Sequence, residues 1–135
     1  MTLKAGTYSF ICYGMPWTEF EIGVGLGNFE IEVSLELSDG DIEKLVCLLH
    51  WAWDNEWFEH STSETVSTML LKQHVPYIYI KVYQQVHKQF CELYPNSENV
   101  EGFGVYEIFI PDIIVDYAEE TYERQISVLR HRWGA

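Results

Sequence analysis

The clearest pattern in the chain is FEIEVSLEL, in which Phe29, Ile31, Val33, Leu35 and Leu37 alternate with Glu30, Glu32, Ser34 and Glu36. Successive side chains of an extended chain point to opposite sides, so this period of two predicts a strand with one buried and one wet face. The preceding TEFEIGV repeats it with Phe20, Ile22 and Val24, and the more aromatic TYSFICY can form a strand before that. Joined by turns, these three segments predict an N-terminal three-stranded meander.

Helical spacing takes over at Ser38. That serine is a good N-cap, Asp39 and Asp41 suit the positive helix end, and Ile42, Leu45, Val46, Leu49 and Trp53 recur along one stripe of a helix expected to run to about Phe58. After HSTSE a short helix is expected over 64–73. VPYIYIKVYQQVHKQFCELYP carries Pro76 where a first turn tolerates it, aligns Tyr79, Val82, Val86, Phe90 and Leu93, and ends before Pro95. GFGVYEIFI reads as a fourth strand. AEETYERQISVLRHRW reads as a terminal helix with Ala118, Tyr122, Ile126, Leu129 and Trp133 aligned. The expected fold is α+β: an antiparallel sheet of about four strands packed against three or four helices, with residues 1–135 forming one domain.

Composition narrows the function classes. At 47% hydrophobic and 16% aromatic residues, the chain is too apolar for the disordered class. Its apolar runs fall far short of the roughly 18 residues of a membrane span, and MTLKAGTYSF lacks a signal peptide's pattern, so a cytoplasmic location and no membrane partner are expected. A net charge of −13 argues against direct nucleic-acid binding, which needs clustered Lys and Arg, and favours a basic protein partner. Cys12, Cys47 and Cys91 are odd in number and set among apolar neighbours, which predicts reduced, mostly buried thiols.

Candidate chemistry is sparse, and the chain resembles no family by its motifs. GVGLGN leads into a strand, whereas a phosphate-binding glycine loop must lead into a helix. In and around HWAWDNEWFEH, Glu43, Cys47, His50 and Asp54 share an arc of one helix, but at most two can converge on one ion; His87 and Cys91 form a similar pair. No metal and no cofactor are expected. The Cys/His pairs lack the positive surroundings that activate a thiolate, and the common hydrolase and phosphotransferase signatures are absent, so no catalytic residue is nominated.

Two features remain. In the simplest hairpin register Glu21 opposes Glu32, and Glu19, Glu21, Glu30, Glu32 and Glu36 share one wet face, where each directly opposed like pair costs up to about 1 kcal/mol. Those glutamates either solubilise an open sheet face or meet a basic partner. Trp51 and Phe58, with Asp54, lie off the core stripe of their helix, so either later helices or a partner must cover them. These eight residues are the expected partner-binding surface. The expected function is a non-enzymatic acidic protein-binding module, of inhibitor, immunity or adaptor type, engaging a basic surface of a partner protein. The alternatives are a nucleic-acid-mimicking inhibitor of a DNA- or RNA-binding protein, and a small enzyme or ligand-binding protein with an aromatic- and His-lined pocket.

Overall fold

The computed structural model describes residues 3–17, 28–55, 68–94 and 102–132, the side chains of residues 17, 68, 69 and 125–132 excepted. Strand β1 (Gly6–Trp17) and strand β2 (Phe29–Leu37) are followed by helices α1 (Asp39–Asp54), α2 (Thr68–His74) and α3 (Pro76–Leu93). Strand β3 (Gly102–Phe109) and helix α4 (Asp112–Arg132) complete the order. The arrangement is α+β, an antiparallel sheet with helices layered on one face.

The strand order is β2-β1-β3. β1 and β2, expected as the outer strands of a meander, are direct neighbours over their length, from Gly6 opposite Leu37 to Gly14 opposite Phe29. Both strands alternate, so pairing them directly matches buried Phe10, Cys12 and Gly14 with buried Val33, Ile31 and Phe29, and half-buried Gly6 and Tyr8 with Leu37 and Leu35. The segment TEFEIGV lies outside the described residues. β3 takes the other edge of β1, with a bulge: Tyr13 faces Glu107 whereas Gly14 faces Val105, leaving Tyr106 as the extra residue.

α1 starts as its sequence dictates. Ser38 Oγ accepts from the Asp41 main-chain N–H at 3.1 Å and Asp41 Oδ2 accepts from Ser38 N–H at 2.9 Å, a reciprocal capping box. The helix ends at Asp54, where Asn55 N–H returns to the Trp51 carbonyl at 3.0 Å, four residues short of Phe58. The stripe Ile42, Leu45, Val46, Leu49 and Trp53 is buried, and so are Leu48 and Ala52 on its flanks, because later helices flank α1. α3 buries Ile78, Val82, Val86 and Phe90; Tyr79 is half-buried, and Leu93, in the last turn, stays exposed. α4 begins six residues before AEETYERQ, since the Pro111 carbonyl accepts from Ile114 and Val115 N–H and starts the helix there.

The core is continuous from the inner face of the sheet into the helices. Phe10, Cys12, Ile31, Val33 and Ile108 of the strands join Leu45, Leu49, Leu71, Ile78, Val82, Ile114 and Val115 of the helices in one buried cluster. At one end of the sheet Phe29, Phe90 and Phe103 meet ring to ring, with centroids 4.7–6.0 Å apart, and Tyr83 stacks on Phe103.

Candidate functional site

With the helices on one side, the alternation in β2 leaves Glu30, Glu32 and Glu36 exposed on the other. Their neighbours on β1 are hydroxyls and aliphatic groups. Tyr13 Oη donates to Glu30 Oε1 at 2.7 Å, Thr7 Oγ1 donates to Glu36 Oε1, the Ser9 and Ser34 hydroxyls are 3.3 Å apart, and Glu32 faces Ile11. β3 adds Glu107 opposite Tyr13. None of the three strands contains a Lys or Arg. The Tyr13 phenol registers this field: its pKa is pushed above the ordinary value, first by the hydrogen bond to Glu30, then by burial, then by the charges of Glu30 and Glu107.

The central strand makes the middle of this face apolar. Ile11 and Tyr13 stand beside Phe109 of β3, whose ring meets that of Tyr13 edge-on at 5.5 Å and 75°. The chain then buries Ile110, turns at Pro111 and enters α4, whose first residues bring Asp112 and the 46% exposed Ile113 to the same place. The result is a groove of about 630 Å³ whose lining includes apolar Ile11, Tyr13, Phe109, Pro111 and Ile113 together with the acids Glu30 and Asp112.

Three of the five lysines are held on aromatic rings. Lys44 and Lys81 place their ammonium groups 4.8 and 5.5 Å from the centre of the Tyr77 ring, and Lys72 lies 5.9 Å from that of Tyr79, all within the helical layer. Tyr77 in turn donates to Asp41. Burial, then the hydrogen bond to Asp41 and that residue's charge, push the Tyr77 phenol up to about 12. Burial alone would raise the Asp41 carboxyl; the hydrogen bonds from Tyr77 and Ser38 and the Lys81 charge outweigh it and hold the carboxyl below its usual value. Lys81 and Lys88 border Glu36 beside α3, so positive charge approaches the Glu36 end of the face.

The expected surface is therefore divided. Glu30, Glu32 and Glu36 stand on the open sheet face. Trp51 and Asp54 belong to the helical layer behind it: Trp51 is 37% exposed with its ring 4.4 Å from that of His74, beside a shallow hollow shared with Cys47 and Leu48, and Asp54 accepts from Tyr122 Oη of α4 at 2.7 Å. Glu19, Glu21 and Phe58 lie outside the described residues. The sequence reading missed Ile11, Tyr13, Phe109, Asp112 and Ile113. A signal existed for the first two, since Thr7, Ser9, Ile11 and Tyr13 share one face of TYSFICY.

The remaining chemistry is dispersed. His50 Nε2 lies 2.7 Å from the Ala118 carbonyl and 3.1 Å from Thr121 Oγ1, bonding α1 to α4, while His74 of α2 sits by Trp51 and His87 of α3 by Phe103 of β3. Among the described residues no three His, Cys, Asp or Glu side chains could hold one metal ion. Cys12 is buried and its thiol is pushed up to about 12 by burial, but Cys47 and Cys91 are exposed. Their apolar sequence neighbours point to other sides of their helices, which corrects the expectation of mostly buried thiols. No described helix is long and apolar enough to cross a membrane. Comparison with protein-family models, curated proteins and solved structures finds no match.

Proposed function

We propose that this chain is a non-catalytic, acidic protein-binding module, of inhibitor, immunity or adaptor type, that engages a basic and partly apolar surface of a partner protein through the open face of its sheet. The observation that carries this reading is an apolar groove set in a field of carboxylates with no cation in the strands that form it. Carboxylates of the lining accelerate encounter with a basic partner, and apolar Ile11, Tyr13 and Phe109 slow its departure once water is expelled. Of the surface expected from sequence, Glu30 and Glu32 fall within this site. Glu36 stands at its compensated end, and Trp51 and Asp54 are assigned to packing of the helical layer.

The test is comparative capture from native lysate at low and high salt, using the wild type, the charge reversal Glu30→Lys/Glu107→Lys, and Trp51→Ala. A partner retained by wild type and Trp51→Ala, lost from the charge reversal and weakened by salt, supports the open face. A partner lost only from Trp51→Ala moves the interface to the helices. Equal retention by all three refutes both.

A further inference from the structure

The groove's hydrogen-bonding inventory narrows what it can receive, and the following inference rests on the reading above. Tyr13 directs its hydroxyl proton to Glu30 and Thr7 directs its own to Glu36. What the acidic lining still offers outward are acceptor sites: the remaining carboxylate lone pairs of Glu30, those of Asp112, and the oxygen of Thr7, while the Ser9 and Ser34 hydroxyls share one hydrogen bond. A partner group seated here must bring donors, carry positive charge and tolerate apolar neighbours. We infer that the groove takes an arginine side chain of the partner, its guanidinium on the Glu30 carboxylate and over the Tyr13 ring, with an aliphatic neighbour in the partner's sequence resting against Ile11 and Ile113.

Three properties select arginine over lysine. Guanidinium offers five N–H donors and no acceptor, which complements the carboxylates of Glu30 and Asp112. It is planar, so it lies against an aromatic ring while its edge bonds a carboxylate. It is also more weakly hydrated than an ammonium, and so better suited to apolar neighbours. The Tyr13–Glu30 hydrogen bond matters because it fixes ring and carboxylate relative to each other, the bond between them spanning neighbouring strands in register.

The experiment titrates the full chain, isotopically labelled, with the synthetic peptide Ac-Leu-Arg-Leu-Arg-Leu-NH2 and with its lysine and citrulline counterparts, following amide shifts at low salt. The arginine peptide should shift Ile11, Tyr13, Phe109 and Ile113. Lysine should bind roughly fivefold more weakly, the equivalent of about 1 kcal/mol of ring stacking. Citrulline, which keeps the shape without the charge, should bind at least about tenfold more weakly. Tyr13→Leu, which keeps that position apolar, should erase the preference for arginine over lysine, and Glu30→Gln should weaken both basic peptides. If lysine and arginine bind the same face equally in the wild type, the arginine inference is overturned while the basic-partner reading stands. If citrulline equals arginine, or no peptide shifts the open face at millimolar concentration, both fall.

Discussion

Gly14 tests the geometry beneath the groove. A Cβ placed there would sit 2.5 Å from Phe29 Cζ and 2.8 Å from Phe29 Cε1, and would press equally on the Gly104 carbonyl oxygen. Carbon contacts are comfortable at about 3.5–4.0 Å, so relief demands movements of roughly 1 Å on two sides. The carbonyl belongs to the neighbouring strand and cannot rotate away. The Phe29 ring is braced by Phe90 at 5.9 Å and Phe103 at 6.0 Å. Overpacking of this kind costs about 1–3 kcal/mol, occasionally more. With two immovable neighbours Gly14→Ala should lose about 3 kcal/mol, near 10 °C in Tm for a chain of this size. Urea denaturation of the wild type, Gly14→Ala, Phe29→Leu and the double variant is the assay. Shrinking the ring removes one of the two clashes, so the double variant should be more stable than the sum of the single losses by about 1 kcal/mol or more. A loss below about 0.5 kcal/mol for Gly14→Ala, or additivity in the double variant, would refute the close approach of β1, β3 and Phe29.

Three further outcomes follow. Trp51→Ala should cost about 1–2 kcal/mol in urea unfolding, less than the roughly 3–5 kcal/mol of a fully buried ring, because over a third of Trp51 remains in water; a loss above 3 kcal/mol would make it core. Tyr77→Phe should cost about 1 kcal/mol near neutral pH, as a lost hydrogen bond to a carboxylate. Because Asp41 has a depressed folded pKa, its contribution is full above the ordinary carboxylate range and fades as pH falls through the folded value, so the gap between wild type and variant should narrow in acid. A gap independent of pH would contradict this. Thiol reagents should label Cys47 and Cys91 in the folded protein and Cys12 only on unfolding, as mass spectrometry of native and denatured samples would read directly.

Much of the fold was legible because it is local. The strict alternation of FEIEVSLEL gave β2 residue by residue, and Ser38 with Asp41 gave the start of α1 to the residue, since a capping box is written within four positions. Strand neighbours were not legible. Period two fixes which face a residue takes but not which strand lies beside it, and β1 could pair with anything of matching phase. The bulge at Tyr106 was hidden for a related reason, since it depends on the register of β3 against β1, and the early start of α4 on the Pro111 carbonyl that caps its first turn. The same blindness split the candidate site. The exposure of Glu30 and Glu32 was legible because acid at every second position is conspicuous, but their neighbours Tyr13 and Ile11 lie some twenty residues earlier, and Phe109 and Ile113 about eighty later.

On the proposed reading, the open face does more than keep the protein dissolved. A solubilising surface mixes both signs, so that attraction between neighbours offsets repulsion. Here the described acids of the strands have no Lys or Arg beside them in the sheet, while Lys44, Lys72 and Lys81 are drawn onto the rings of Tyr77 and Tyr79 in the helical layer. Nor does solubility ask for Ile11, Tyr13, Phe109 and Ile113 at the centre of the acidic field, since each would hydrate more easily as a polar residue. Hydroxyls of Thr7 and Tyr13 blunt the repulsion without neutralising it, leaving the charges available at distances where they steer an approaching cation. The fold thus packs its core behind the sheet and leaves in front of it apolar surface and carboxylates that the helical lysines approach only at the Glu36 end. A basic partner with an apolar segment would complete that front, and the free protein contains nothing described that does.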